Sequence, residues 1–152
     1  MVKKRIRLLA HNIRSLWNVG SFFRTGDAFG VEMIHLTGYT GAPPRKEISK
    51  TALGAEEWIP WTHDADPLAR IAALKGDGWT IVALELTPSA RDVREPLAAD
   101  KVCLVLGHEV DGVSDTLLSA CDSAVMIPMR GRKESLNVAV AVGVALHALS
   151  DA

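Results

Sequence analysis

The chain has 152 residues, 48% of them hydrophobic and 23% charged, a composition typical of a folded globular protein rather than of a disordered chain. This length suits one domain, residues 1–152, with a single substantial core, and no stretch reaches the roughly 18 uninterrupted apolar residues that a membrane helix needs. The net charge is −1, but residues 1–50 carry nine Lys and Arg against three Asp and Glu (+6), and residues 51–152 carry eight against fifteen (−7).

Apolar runs separated by polar and glycine-rich loops predict alternating strands and helices. In chain order they are a strand at residues 6–10, a helix at 19–29, a strand at 31–37, a loop at 38–50 that runs into a short helix, and a strand at 57–61 that Pro60 bends or confines to an edge. A helix at 67–75, strands at 79–84 and Lys101–Leu106, a helix at 114–120, a strand at 124–127 and a closing helix at 133–148 follow.

Residues typical of helix ends flank several of these predicted helices. Gly30 can close the first one in a left-handed conformation. Asp66 can cap the 67–75 helix with Pro67 in its first turn, and Ser114 can cap the 114–120 helix. The apolar run Lys101–Leu106 is typical of a strand that is covered on both faces. The sequence therefore predicts an α/β protein with a mainly parallel sheet flanked by helices.

Several common catalytic motifs do not occur in the sequence. It has no GxxxxGK[ST] loop, no GxGxxG after the first strand and no GxSxG, and Gly112 stands where HExxH needs its second histidine. The five histidines are scattered, so we expect no metal site. Cys103 and Cys121 form no CxxC pair, and together with a start that lacks the features of a signal peptide they predict buried thiols in a cytoplasmic protein.

Three stretches carry residues suited to chemistry. In NVGSFFR, Asn18 can cap a helix at whose N-terminus an anion binds, and Gly20 and Arg24 share one helix face. In GHEVDG, Glu109 follows a buried strand, where ligands bind in open parallel sheets. In RGRKESLN, Ser135 and Asn137 open the last helix behind a basic loop. Taken singly, each stretch also fits a capped helix or a surface turn, and for the first stretch the capped helix with one surface arginine is the favoured interpretation.

Taken together, the three stretches resemble the signature motifs of a known family. The order N-x-G-x-x-x-R, G-x-E-x-x-G and I-P-M-x(5)-SLN-V is similar to that of the SpoU (TrmH) family of RNA 2′-O-ribose methyltransferases, in the SPOUT superfamily. The resemblance covers nearly the whole chain. It implies a sheet whose C-terminal segment forms a deep trefoil knot, a rare exception to unthreaded connections, and S-adenosylmethionine (SAM) bound in that knot.

The resemblance also implies roles for individual residues. The cofactor pocket is expected at Leu84 or Glu85, Gly107, Ile127 and Leu136. The catalytic set is expected to be Asn18, Arg24, Glu109, Ser135 and Asn137. Arg24 is expected to act as the base or, because a guanidinium is ordinarily never deprotonated in proteins, to bind the adjacent phosphate and stabilise charge. No metal is required for this reaction.

The implied partners are RNA, either tRNA or rRNA, and a second copy of the chain. Binding of the RNA backbone is expected at three basic groups, although solvated surface charge explains them about as well. These residues are Lys3, Lys4 and Arg5, then Arg45 and Lys46, then Arg130, Arg132 and Lys133. Residues 138–148 are almost wholly apolar, which predicts a helix that is buried on every face, and the resemblance implies that one side packs on the sheet and the other on a second subunit. A non-catalytic RNA-binding knot protein and a base methyltransferase are the alternatives.

Overall fold

Seven strands form one sheet in the computed structural model, which describes residues 3–150. The strands are β1 (Arg5–His11), β2 (Met33–Thr37), β3 (Trp61–Asp64), β4 (Thr80–Leu84), β5 (Arg91–Asp92), β6 (Lys101–Leu106) and β7 (Ser123–Met126). Their order across the sheet is β3-β2-β1-β6-β4-β7-β5, and every pair is parallel. The carboxyl ends of all seven strands therefore meet at one edge of the sheet.

Helices cover both faces of the sheet. They are α1 (Leu16–Ala28), α2 (Lys46–Ala52), α3 (Pro67–Gly76), α4 (Asp115–Ala120) and α5 (Val138–Leu149), with a 3₁₀ turn at Ala55–Glu57. Because neighbouring strand residues point to opposite faces, Leu8 packs in the core under α1, α2 and α5, while Leu9 packs under α3 and α4. The predicted α/β class and mainly parallel sheet are confirmed.

Several predicted helix ends are confirmed by their hydrogen bonds. Asp66 accepts from the N–H groups of Leu68 and Ala69, and Ser114 accepts from that of Leu117. Gly30 follows α1 with a φ of 71°, in the left-handed region that glycine adopts without strain.

Three predicted boundaries are wrong. Helix α1 begins at Leu16, because the hydroxyl of Ser15, rather than the amide of Asn18, caps it; Ser15 accepts from the N–H of Asn18 at 3.2 Å. Helix α5 begins at Val138, with Asn137 as its cap, five residues later than predicted. The third strand lies at Trp61–Asp64 instead of 57–61, although it is an edge strand as expected. The two-residue strand β5 was not predicted.

Gly20 allows α1 to pack closely against α2, so this turn of α1 is not open to a ligand. A Cβ atom at this position would collide with the Thr51 hydroxyl and the Ile48 carbonyl oxygen of α2. Gly20 is buried in this contact. The glycine therefore serves close packing of two helices.

Gly20→Ala is expected to destabilise the protein by about 1–3 kcal/mol, because the two helices must separate to admit a methyl group. Thermal unfolding measures this loss as a lower Tm. Gly76→Ala is the matched control in α3, since nothing lies within 4 Å of a Cβ at that position; alanine there should be neutral or stabilising. Equal melting temperatures for Gly20→Ala and the wild type would contradict the packing role.

Both cysteines are free thiols, with Cys103 buried and Cys121 half-buried. Burial raises the pKa of Cys103 to about 12 and that of Cys121 to about 11, so both stay protonated at neutral pH. Of the helices within residues 3–150, none is long and apolar enough to cross a membrane.

Candidate active site

An open cavity lies where the carboxyl ends of β4, β6 and β7 meet the start of α5. It encloses about 790 Å³, counting its open mouth. Its walls come from three segments, namely residues 84–86, residues 106–110 with 112, and residues 126, 127, 129, 134–136, 138 and 141. All five residues expected to bind the cofactor line it, namely Leu84, Glu85, Gly107, Ile127 and Leu136. Three segments far apart in the sequence are thus brought together at the sheet edge where ligands of open α/β proteins bind.

The cavity combines apolar walls with carboxylates and a hydroxyl. Leu106 and Val138 extend the apolar wall, and Glu109, Glu134 and Ser135 are the polar groups added to Glu85. Glu134 and the methionines Met126 and Met129 also line the cavity and were not among the expected site residues. Met126 stands directly before the I-P-M motif, Met129 within it, and Glu134 directly before the SLN motif. These positions were the sequence signal that could have identified them as cavity residues.

The loop after β6 is held closed by its own backbone. The N–H of His108 donates to the Gly112 carbonyl at 3.1 Å, and the N–H of Gly112 donates to the His108 carbonyl at 2.8 Å. A Cβ atom at Gly107 would collide with the backbone of Gly112 and Val113. The space beside Gly107 is therefore occupied by the protein itself, so the loop requires this glycine whether or not a cofactor is bound.

Glu85 fastens the same loop to the end of β4. Its Oε2 accepts from the N–H of Val113 at 2.8 Å, and its Oε1 accepts from the N–H of Leu86 at 3.0 Å. A Cβ atom at Gly112 would collide with this carboxylate, and Gly112 has a φ of 69°. Both oxygens thus already serve the wall of the cavity.

Glu109 joins the loop after β6 to the N-terminus of α1. Its Oε1 accepts from the N–H of Arg14 at 2.9 Å, and its Oε2 accepts from the N–H of Ser15 at 2.8 Å and the side-chain amide of Asn18 at 3.2 Å. Burial by itself raises the pKa of Glu109, but these hydrogen bonds outweigh it and lower the pKa below the ordinary value. Glu109 and Asn18, from two separate motifs, are therefore in direct contact.

Glu109→Gln is expected to lower the Tm at pH 7 and to lose this defect in acid. A carboxyl whose pKa is lowered by folding stabilises the protein above its ordinary pKa, and that stabilisation disappears as the pH falls through the folded value. The difference in Tm between wild type and variant, measured from pH 7 to pH 3, should shrink below about pH 4. Glu134→Gln is the control at pH 7, since Glu134 makes no hydrogen bond in the described part of the chain. A pH-independent difference would contradict the carboxylate contact.

Arg24 and Asn137 are not on the cavity wall. Asn137 caps α5, accepting from the N–H of Ala139 at 2.9 Å. Arg24 is exposed and has no hydrogen bond or ion pair among residues 3–150. Its neighbour Thr25 lies beside Gly143 of α5. A Cβ atom built on Gly143 would be 3.6 Å from the methyl group of Thr25. Gly143 is six residues past Asn137, about 9 Å along the helix, so the turn of α1 that carries Thr25 and Arg24 packs beside the middle of α5, while the Arg24 side chain is exposed.

The basic groups expected to bind RNA lie at opposite edges of the sheet. Exposed residues at the cavity edge are Arg130, Arg132 and Lys133, before α5, and Arg45 and Lys46, at the start of α2. Lys3, Lys4 and Arg5 lie at the amino end of β1, the far edge of the sheet. Lys4 donates to the Leu97 carbonyl, and Arg5 pairs with Glu32 at 2.8 Å and stacks over Trp79. Lys4 and Arg5 of this group therefore already make contacts within the protein.

Within the described residues, no cluster of three or more His, Cys, Asp or Glu side chains is placed to hold a metal ion. The polar groups of the cavity instead act as hydrogen-bond acceptors and as negative charge facing a ligand. Such a site can bind and orient an organic cofactor through its apolar walls and backbone.

Comparison with known proteins finds relatives that are RNA methyltransferases. A family model described as the SpoU rRNA Methylase family matches residues 5–147. The chain is 34% identical over 141 residues to a tRNA (guanosine(18)-2′-O)-methyltransferase of Thermus thermophilus, covering 93% of this chain and 72% of that protein. It is also 34% identical over 131 residues to a 23S rRNA (guanosine-2′-O-)-methyltransferase of Vibrio cholerae, covering 85% and 52%.

Solved structures give the same result. The TrmH/SpoU tRNA modifying enzyme of A. aeolicus superposes with a TM-score of 0.85 at 29% identity, over 97% of this chain and 76% of that one. An AdoMet-bound rRNA methyltransferase from Sinorhizobium meliloti gives a TM-score of 0.89 at 28% identity, over 96% and 56%. The resemblance seen in the three motifs is confirmed, and this chain belongs to the SpoU rRNA methylase family.

Proposed function

We propose that this chain transfers a methyl group from SAM to the 2′-hydroxyl of a ribose in structured RNA, with tRNA favoured over rRNA. The observation that carries the proposal is the cavity that the second and third family motifs build at the carboxyl edge of the sheet. Relatives named as tRNA 2′-O-methyltransferases match more of their own length, 72% for the Thermus protein, than the rRNA relative from Vibrio does at 52%. That difference favours tRNA.

The residues of the cavity fit SAM. The cavity is open at one side and lined by both apolar and polar side chains, as small-molecule sites usually are. Leu84, Ile127 and Leu136 would offer an apolar surface for the adenine, and the carboxylates of Glu109 and Glu134 give the cavity a negative charge that suits a cationic sulfonium. Bound SAM supplies a methyl group on a good leaving group, so the protein mainly has to align the ribose oxygen with it.

Each polar residue is assigned a role by its contacts. Glu109 holds the start of α1 against the cavity, with Asn18 as its partner. Ser135, exposed on the cavity wall, orients the ribose. Arg24 binds the adjacent phosphate and stabilises the negative charge that grows on the attacking oxygen. Asn137 fixes the start of α5 and with it the position of Ser135.

The active unit is proposed to be a homodimer formed through α5. Val140 and Val144 are 54% and 40% exposed in the single chain, while Val142 and Leu146 on the opposite side of the same helix are buried. Exposed valines in a row on one helix face favour burial against another surface. Because the turn of α1 that carries Arg24 packs beside the middle of α5 and Arg24 is off its own cavity wall, we assign Arg24 to the cavity of the second copy.

The proposed fold is a single SPOUT domain with a C-terminal trefoil knot, in a cytoplasmic enzyme. Strand β7 lies between β4 and β5, although β5 follows β4 along the chain. The chain must therefore return between two strands that residues 85–90 already connect. This order supports a threaded C-terminal segment.

Incubation of the protein with labelled SAM and RNA that lacks modifications tests the activity. We expect label in RNA, recovered as 2′-O-methylated nucleosides and enriched in the tRNA fraction. RNA binding without transfer would instead support a non-catalytic RNA-binding protein. Label recovered in a methylated base would favour base methylation.

A further inference from the structure

We propose that Trp17 is a stacking platform for an unpaired base of the RNA substrate, next to the nucleotide that is methylated. This inference rests on the proposed function. Trp17 lies in the first turn of α1, and its side chain is 48% exposed. Aromatic side chains in such positions bind bases because every base has a π face, whatever its sequence.

The backbone that carries Trp17 is firmly held. Its carbonyl oxygen accepts from the Thr51 hydroxyl of α2 at 2.7 Å and from the Ser21 hydroxyl at 3.0 Å. The contact of Gly20 with α2 brings the two helices together one turn further on. The indole is therefore displayed from a rigid support, which lowers the entropy lost when a base stacks on it.

The charge around Trp17 matches RNA. The ammonium of Lys50 lies 5.5 Å from the centre of the indole ring, and Lys46 and Arg45 are exposed in and before the same helix α2. Arg14 is exposed on the other side, three residues before Trp17. A base on the indole would thus lie among cations that meet the flanking phosphates.

Comparison with Trp58 shows that an exposed indole by itself does not make a site for an RNA base. It is 59% exposed, but its indole N–H donates to the Asp27 carboxylate at 2.7 Å. Glu56 and Glu57 precede it directly in the chain. Repulsion of phosphates by these carboxylates disfavours RNA there, so Trp17 and Trp58 differ in the charge that surrounds them.

Trp17 is also close to Arg24, which is assigned to the cavity of the second copy. Arg24 stands seven residues after Trp17 on the same face of α1, about 10 Å along the helix. An RNA strand whose phosphate reaches Arg24 can therefore place a neighbouring base on the indole.

The test compares Trp17→Ala with the matched control Trp58→Ala in binding of unmodified tRNA and of SAM. Trp17→Ala should weaken RNA binding by about 5- to 100-fold, the range expected for one stacked base, and raise the KM for RNA while SAM affinity stays unchanged. Trp58→Ala should bind both like the wild type. Trp17→Phe should keep most of the affinity for RNA but lose the quenching of tryptophan fluorescence that RNA causes in the wild type.

Each other outcome is decisive. Methyl transfer by the wild type together with equal RNA affinity of Trp17→Ala overturns the platform and leaves the proposed function standing. Absence of methyl transfer by the wild type refutes the proposed function, and the RNA-binding comparison then still tests the platform. A Trp17→Ala variant that becomes monomeric with unchanged RNA affinity places the indole in a subunit contact and overturns the platform.

Discussion

Arg24→Ala is expected to lower methyl transfer by at least about 100- to 1000-fold while SAM binding stays near that of the wild type. Losing one preorganised group that stabilises developing charge has an effect of this size. SAM affinity should not change, because Arg24 is not on the wall of the cavity. Single-turnover transfer to unmodified tRNA and calorimetric titration with SAM measure the two quantities.

Arg24→Lys is the control for charge alone. A lysine keeps the positive charge but lacks the planar fork that binds a phosphate through two hydrogen bonds, so its rate should fall between wild type and Arg24→Ala. Arg24 is exposed and unpaired among the described residues, so neither substitution should alter the Tm. Weakened SAM affinity with full turnover would contradict the assigned role.

The sequence located most elements of the fold because local signals coincide with them. The run Lys101–Leu106 is a buried strand with the predicted bounds, and Asp66 and Ser114 cap the predicted helices. These features depend on composition and on residues a few positions apart. Strand β5 was not predicted, because its two residues, Arg91–Asp92, are a strand only through pairing with β7.

The start of α1 shows why helix ends were harder to predict. Ser15 and Asn18 are both good cap residues and lie three positions apart. The choice between them depends on Glu109, which is more than 90 residues away in sequence and binds the N–H of Ser15 and the amide of Asn18. The packing partner of Gly20 could not be predicted for the same reason, because its contact surface on α2 is set by the tertiary fold.

Several of the expected site residues lie on one cavity, but the motifs did not indicate its geometry. All residues expected to bind the cofactor line one cavity, as do Glu109 and Ser135. The motif pattern did not show that Glu85 and Gly107 are committed to closing the loop, nor that Arg24 lies away from the cavity of its own chain. Those facts depend on how β4, β6 and α5 are packed.

The position of Arg24 leads to a second expected result, which concerns mixed dimers. Leu136→Glu places a carboxylate in the apolar wall of the cavity and should abolish SAM binding. Homodimers of Arg24→Ala and of Leu136→Glu are each expected to be inactive. A dimer with one chain of each kind has one intact site if Arg24 acts on the partner's cavity, because the Arg24→Ala chain supplies the cavity and the other chain supplies the arginine.

Equal amounts of the two variants, unfolded and refolded together, should therefore regain about a quarter of wild-type activity, since half of the dimers in a random mixture are mixed and each has one working site of two. If Arg24 instead serves the cavity of its own chain, both sites of every mixed dimer are defective and the mixture stays inactive. Mixing without refolding is the control, because chains that do not exchange cannot form mixed dimers. Recovery of activity also requires a dimer, so the same measurement tests the apolar face of α5 that Val140 and Val144 expose.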